Sequence, residues 1–235
     1  GDEVFGAIDT ITNGETPINK MDEFNVKTVT QDNIDYKLYY LLLNEGGGEA
    51  ITRYDSVFIK YRGFLLDSTK FDGTDNASWR RMAGEYNGQY SSYEQPIDGW
   101  KEAIPLFKAG INISEDDEPL KFEDSGHGII FIPSGLAYRN FEHTKIPKKS
   151  PLIFFIETDY MNKSDYDNDG VPDSLEDINE DGFVIDDDTD GDRIPNFNDR
   201  DDDGDGILTK DESKESTDPN NPNLPDYLNP DWPER

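Results

Sequence analysis

The chain contains no cysteine and only two histidines among its 235 residues. That excludes a disulfide framework, thiol catalysis and sulfur-ligated metal; His127 and His143, isolated in sequence, are expected at the surface and make neither a metal site nor a triad. Long apolar runs are missing too. The longest, such as Leu41 to Leu43 and Leu152 to Ile156, fall far short of the roughly 18 residues a membrane span needs. The chain starts at Gly1 without an apolar leader, so a secretory signal or a lipid anchor is expected, if anywhere, upstream of that residue. Basic residues are scarce: 22 Lys and Arg stand against 52 Asp and Glu, a formal net charge of -30, which argues against nucleic acid and against an anionic membrane surface as partners.

Apolar residues make up 33% of the chain, low for one body of this size, so the core is expected in only part of it. Between Asp165 and Glu212 there are 20 acids and 3 bases, and this segment carries most of the excess acidity. Before residue 160 the pattern is mainly that of sheet. Tyr36 to Leu43, Ser56 to Leu66, Ile129 to Pro133 and Leu152 to Asp159 read as strands, with Lys70 to Asp72 extended. Residues 73–94 and 111–128 read as long polar loops, and residues 1–34 as an N-terminal extension. One helix interrupts the sheet pattern, over Gln95 to Gly110. Asp98 is placed to cap it, Trp100, Ala103, Ile104 and Phe107 share one face, Pro105 removes one backbone donor inside it, and Gly110 offers a stop. Local strands, one short helix and no βαβ spacing predict an α+β fold with an antiparallel sheet.

Residues 36–160 carry an ordered set of motifs. They run Tyr61-x-Gly63, Leu65-x-Asp67 and Phe71-Asp72, then Ile97-x-Gly99-Trp100 opening the helix, Pro133-x-x-x-Ala137-Tyr138, Ile146-Pro147 and a closing Leu152-x-Phe154 strand. In this order they resemble the FKBP-type peptidyl-prolyl isomerases. The resemblance implies a twisted antiparallel sheet wrapped around one short helix, with Trp100 as the floor of a proline pocket. It further implies Tyr61, Phe71 and Phe154 as aromatic walls, Ile97 as a backbone N–H donor, Tyr138 as a hydroxyl donor, Asp72 at the rim, and Pro96 and Ile146 closing the sides. No cofactor is implied for catalysis. Arg139 stands where the family often has glycine, and Trp79, Tyr90 and Tyr93 are candidates for a further pocket aromatic.

From Asp165 the chain changes character. Asp165, Asp167, Asp169, Asp173 and Glu176 fall at positions 1, 3, 5, 9 and 12 of a loop with Gly170 at 6 and the Val171 carbonyl at 7, the ligand spacing of an EF-hand calcium loop. Asp188, Asp190, Asp192, Asn196 and Asp199 repeat it, with Arg193 in place of glycine and the Ile194 carbonyl at 7. Asp201, Asp203, Asp205, Thr209 and Glu212 repeat it again, with Gly206 and the Ile207 carbonyl. A poorer copy, Asp177, Asn179, Asp181 and Asp188, has Ile185 at its ninth position. These copies abut too closely for flanking helices, so the segment resembles thrombospondin type-3 repeats, with Val171, Phe183, Ile194 and Ile207 expected as a thin core.

The sequence therefore predicts four regions: an extension (1–34), an FKBP-like isomerase domain (35–160), calcium-binding repeats (161–213) with little regular secondary structure, and a tail or strap (214–235). The expected protein is an exported one, a periplasmic or surface lipoprotein of a bacterium acting on proline-containing polypeptide clients, with structural Ca²⁺. A non-catalytic client-binding module and a calcium-dependent adhesion element are the competing expectations.

Overall fold

Alternating β-branched and aromatic residues produce six long strands, and every strand pair among them is antiparallel. They are β1 (Phe24–Gln31), β2 (Ile34–Asn44), β3 (Ser56–Phe64), β4 (Lys70–Arg81), β7 (Gly126–Ile132) and β8 (Leu152–Asn162), in the spatial order β1-β2-β7-β8-β3-β4. Two short strands, β5 (Ile111–Asn112) and β6 (Phe122–Glu123), pair separately. The structure is a computed structural model that describes residues 16–22, 24–83, 96–115 and 118–232. It divides into two compact units, residues 1–162 and 163–235. No helix among the described residues is long and apolar enough to cross a membrane.

Two strands differ from the sequence reading. Residues 24–31, assigned to an extension, pair along their whole length with β2. Asp32 and Asn33 make the connection with φ of 52° and 60°, the two-residue turn with positive φ at both positions that joins hairpin strands. β4 also runs on to Arg81, through residues expected to be loop. An edge strand needs apolar side chains on one face only, so polar Asp75, Asn76 and Ser78 do not end it. Residues 84–95, which include Gln95, Tyr90 and Tyr93, lie outside the described residues.

The helix is shorter than its periodicity suggested. α1 spans Asp98–Ala103 and passes into a 3₁₀ turn at Ile104–Leu106, where Pro105 has no N–H to continue the α ladder; Gly110 therefore plays no part in ending it. Asp98 is not the cap: Ile97 is, without a side-chain bond, and Asp98 accepts a 2.7 Å hydrogen bond from Gln31 Nε2 instead. Being already helical, Asp98 has its carboxylate free to fix the end of β1 relative to α1.

Trp100, Ala103, Ile104 and Phe107 are buried against Leu38, Ile59, Ile130, Ile132, Leu152 and Ile156 from the facing strands, which is the core of the first unit. The opposite face of the sheet is also apolar. Leu41, Ile129 and Ile153 are buried there among Phe24, Phe64, Phe131 and Phe155.

The second unit has no strand among its described residues; its regular pieces are 3₁₀ turns at Asp173–Leu175, Asn196–Asn198, Thr209–Asp211 and Asp226–Leu228. Its thin core is only partly the one expected. Val171 is buried under Tyr227, Leu228 and Leu224, and Val184 and Phe197 are buried, whereas Phe183 and Ile194 are 54% and 40% exposed. Residues 224–228 fold over the seventh position of the first loop and act as a strap there.

Gly99 sets a test of the helix packing. Alanine is about 1 kcal/mol better than glycine inside a helix, yet a Cβ here would meet Ile132 Cγ2 at 2.3 Å. Ile132 is fully buried and cannot retreat, so Gly99→Ala is expected to destabilise the unit by about 1–3 kcal/mol in denaturant unfolding rather than stabilise it.

Candidate functional site

Four aromatic rings meet at the first turn of α1: Tyr61 from β3, Phe71 from β4, Phe154 from β8 and Trp100 from the helix itself. Trp100 meets Tyr61 at 4.8 Å between ring centroids and 88°, and Phe154 at 5.3 Å and 82°. Phe71 meets Phe154 at 5.5 Å and 89°, while Tyr61 lies 6.2 Å from Phe154. These edge-to-face contacts set positive ring edges against negative ring faces and so hold each ring in one orientation. Trp100 is 6% exposed, and its indole N–H has no hydrogen-bond partner among the described residues.

The sequence reading named Tyr61, Phe71, Trp100 and Phe154 for this cluster, and the structure brings all four together. Ile97, Tyr138 and Ile146 pack against the same core, and Pro96 is half-buried just before Ile97. The Ile97 carbonyl accepts the Trp100 N–H at 2.8 Å, while its own N–H has no acceptor among the described residues. Asp72 is exposed at the rim, where Tyr61 Oη donates to Asp72 Oδ2 at 2.9 Å. Burial is the main cause raising the Tyr61 and Tyr138 phenols above their ordinary range, so both stay protonated donors at neutral pH.

Two neighbours escaped the sequence reading. Arg80 stands 5.8 Å over the Tyr61 ring from β4, and exposed His143 lies with its ring 3.9 Å from that of Tyr138. Sequence periodicity could have found Arg80 only if β4 had been read as a strand to residue 81. Trp79 is not a pocket aromatic: it points to the other face of the sheet, against Phe58 and Tyr160.

Four acidic loops in the second unit share one geometry. The residue at position 6 has positive φ in each: 92° at Gly170, 90° at Gly182, 83° at Arg193 and 90° at Gly206. Its N–H donates to the first aspartate, Asp165, Asp177, Asp188 or Asp201, at 2.8–3.1 Å. The next N–H, of Val171, Phe183, Ile194 or Ile207, donates to Asp169, Asp181, Asp192 or Asp205 at 2.6–2.9 Å. Arg193 thus adopts the glycine conformation without glycine.

Three loops gather carboxylates. Asp165, Asp167 and Asp169 offer oxygens within 4.8 Å of one another, as do Asp188, Asp190 and Asp192, and Asp201, Asp203 and Asp205. The ninth residues hold the loops themselves. Asp173, Asn196 and Thr209 accept the N–H of Tyr166, Thr189 and Asp202 and so close each loop. In the poorer copy Asp187 accepts the N–H of the third residue, Asn179, at 3.2 Å, and Asp177 and Asp181 are the two acids where the other loops have three. Asp199, expected as a twelfth-position ligand, accepts the Asp201 N–H. Glu176 and Glu212, at the other twelfth positions, have both oxygens buried without a hydrogen-bond partner, as do single oxygens of Asp167, Asp169, Asp201 and Asp203. Burial pushes Asp167 up to about 7 and Glu212 to about 7. Oxygen-only donors with unmet valences are the set a hard cation takes.

An antiparallel sheet packed on one short helix, with aromatic rings gathered at the helix N-terminus, is consistent with an FKBP-like fold for the first unit. Sequence comparison supports homology to FKBP-type peptidyl-prolyl cis-trans isomerases. The chain is 32% identical over 122 residues, 51% of its length, to the FKBP-type peptidyl-prolyl cis-trans isomerase FkpA of Buchnera aphidicola, and 29% identical over 103 residues to the outer membrane protein MIP of Legionella longbeachae. It covers 40% and 34% of those two proteins, so it spans well under half their length. The crystal structure of FkpA from Escherichia coli aligns with a TM-score of 0.43 at 24% identity, over 62% of this chain and 54% of that one. Residues 166–231 match a family model described as BamM C-terminal.

Gly63, the glycine of the Tyr-x-Gly motif, makes room for the aromatic cluster: a Cβ there would meet Phe71 Cζ at 2.6 Å and Phe154 Cε1 at 2.9 Å. Gly63→Ala is expected to displace the half-buried Phe71, costing about 1–3 kcal/mol and weakening the near-ultraviolet circular dichroism of the clustered rings, with the far-ultraviolet spectrum retained.

Proposed function

We propose that the first unit is a peptidyl-prolyl cis-trans isomerase of the bacterial cell envelope and that calcium holds the second unit as its structured C-terminal extension. The convergence of Tyr61, Phe71, Trp100 and Phe154 beside Ile97 and Tyr138 carries the isomerase reading. Rotating an X–Pro amide breaks its resonance against a barrier of about 20 kcal/mol. The planar amide is more dipolar than the twisted one, so a dry aromatic site disfavours the ground state more than the transition state. The Trp100 face receives the proline ring, and the walls of Tyr61, Phe71 and Phe154 exclude water from it. The Ile97 N–H and the Tyr138 hydroxyl donate to substrate carbonyls and hold the flanking chain while the bond turns. Arg80 and Asp72 keep Tyr61 in place through its ring and its hydroxyl. Proline-containing polypeptides are the substrates, and no group of the site has to act as nucleophile.

Calcium suits the second unit because each good loop presents several carboxylates and no nitrogen or sulfur ligand, and in the first and last loops some of those oxygens are buried and unpaired. The ligands are Asp165, Asp167 and Asp169; Asp188, Asp190 and Asp192; and Asp201, Asp203, Asp205 and Glu212, with the Val171, Ile194 and Ile207 carbonyls at the seventh positions. The thrombospondin type-3 likeness of the spacing supports this. An exported location accords with the outer membrane naming of the Legionella relative and with the high calcium outside the cytosol that such loops need.

Two measurements test these readings. In a peptide assay on an Ala-x-Pro substrate, Tyr138→Phe is expected to lower kcat/KM by up to about tenfold through the lost hydrogen bond, and Phe71→Ala to lower it further; background rates for all three proteins would sink the isomerase claim. Limited proteolysis with calcium and with chelator is expected to show cleavage between residues 165 and 212 only in chelator. Equal cleavage under both conditions refutes calcium as the organiser of this unit.

A further inference from the structure

We infer that Asp169, Glu176 and Asp202 form an additional divalent-cation site that ties the first acidic loop to the last, an inference that rests on the calcium reading of the loops. One oxygen from each of the three lies within 4.8 Å of the others. Two oxygens bound to a common calcium ion at about 2.4 Å can be no more than about 4.8 Å apart, so the three can share one ion.

The burial of these groups points to a ligand. Glu176 is 0% exposed and Asp202 1%, and neither oxygen of either carboxylate has a hydrogen-bond partner. Asp169 is 1% exposed; its Oδ1 accepts the Val171 N–H and its Oδ2 has no partner. Among the described residues no Lys or Arg makes an ion pair with any of the three. Lys214, the basic side chain whose charge reaches this cluster, donates instead to the Asp169 and Thr209 carbonyls and lies 5.0 Å from the Tyr227 ring centroid. Charged carboxylates removed from water without partners are far too costly to leave bare. A hard cation with oxygen ligands meets that need directly.

Asp202 makes the site separate from the loop sites. It is the second residue of the loop beginning at Asp201, and the alternate residues of that loop, Asp201, Asp203 and Asp205, gather on each other. The Asp202 backbone belongs to its own loop, where its N–H is closed by Thr209 Oγ1 at 3.0 Å, but its carboxylate reaches the first loop. Arg200 Nε makes a parallel connection by donating to the Asp167 carbonyl at 3.0 Å. Asp169 is then a carboxylate shared between the ion of the first loop and the bridging ion.

The test compares the full chain with Asp202→Asn and with Asp190→Asn, a change at a ligand of the loop at 188–199 that leaves Asp169, Glu176 and Asp202 in place. Calcium per chain is measured by equilibrium dialysis and atomic emission, and cleavage between residues 163 and 212 is followed in calcium and in chelator. Asp202→Asn is expected to bind one ion fewer than wild type and to be cut faster in calcium. In chelator it is expected to be cut no faster than wild type, because the substitution removes a buried negative charge. An unchanged ion count in Asp202→Asn, while Asp190→Asn lowers it, overturns the bridging site and leaves the loop reading standing. Faster cleavage of Asp202→Asn in both conditions assigns the residue a purely structural part and overturns the proposal as well. A wild-type chain that binds no calcium overturns the loops and the bridge together.

Discussion

With apolar residues limited to a third of the chain, hydrophobic burial can hold only part of it, and the chain concentrates them before Asn162. There the supply is generous enough to cover both faces of one sheet. The inner face takes α1 and the indole of Trp100, and the outer face keeps Leu41, Ile129 and Ile153 under a cover of phenylalanines. Beyond residue 162 the apolar supply falls to a few side chains, and the backbone is shaped instead by aspartates accepting its amide protons. Two different ways of paying for chain order therefore meet in one polypeptide.

The aromatic site shows how the first arrangement serves chemistry. Edge-to-face packing of Trp100 on Tyr61 and Phe154 fixes a rigid apolar surface at the point where a six-residue helix begins. The shortness of α1 follows from Pro105, and the close fit of the helix on the sheet follows from Gly99 lying on Ile132. Gly63 does for the rings what Gly99 does for the helix. Each glycine in these motifs is thus explained by what occupies the space where its side chain would be.

Much of this was readable beforehand because the informative residues carry their reason with them. Trp100 on an apolar helix face, the alternation of Val57, Ile59 and Tyr61, and aspartates at every second position with glycine at the sixth all state their structure locally. What escaped depends on long-range pairing. β1 looked like an extension because its polar residues face solvent, although Asp32-Asn33 was a hairpin signal in plain view. Asp98 had the right chemistry for a cap but sits one residue too late, and Gln31, 67 residues away, claims its carboxylate. Arg80, His143, Asp187 and Asp202 matter through partners that no spacing rule connects to them. The ninth loop residues also accept backbone amides, a part that the spacing does not state.

The acidic loops also interlock in a way that restricts how such a segment can change length. Asp188 stands both at the end of the second loop and at the start of the third, holding the Gly191 and Arg193 amides. Its neighbour Asp187 caps the second loop with its carboxylate while its carbonyl accepts the Asn196 N–H that closes the third. A deletion or insertion of one residue here would put every following oxygen on the wrong phase of the two-residue alternation. Such an array can be lengthened or trimmed across generations only by whole loops, cut at equivalent positions, so its length is quantised.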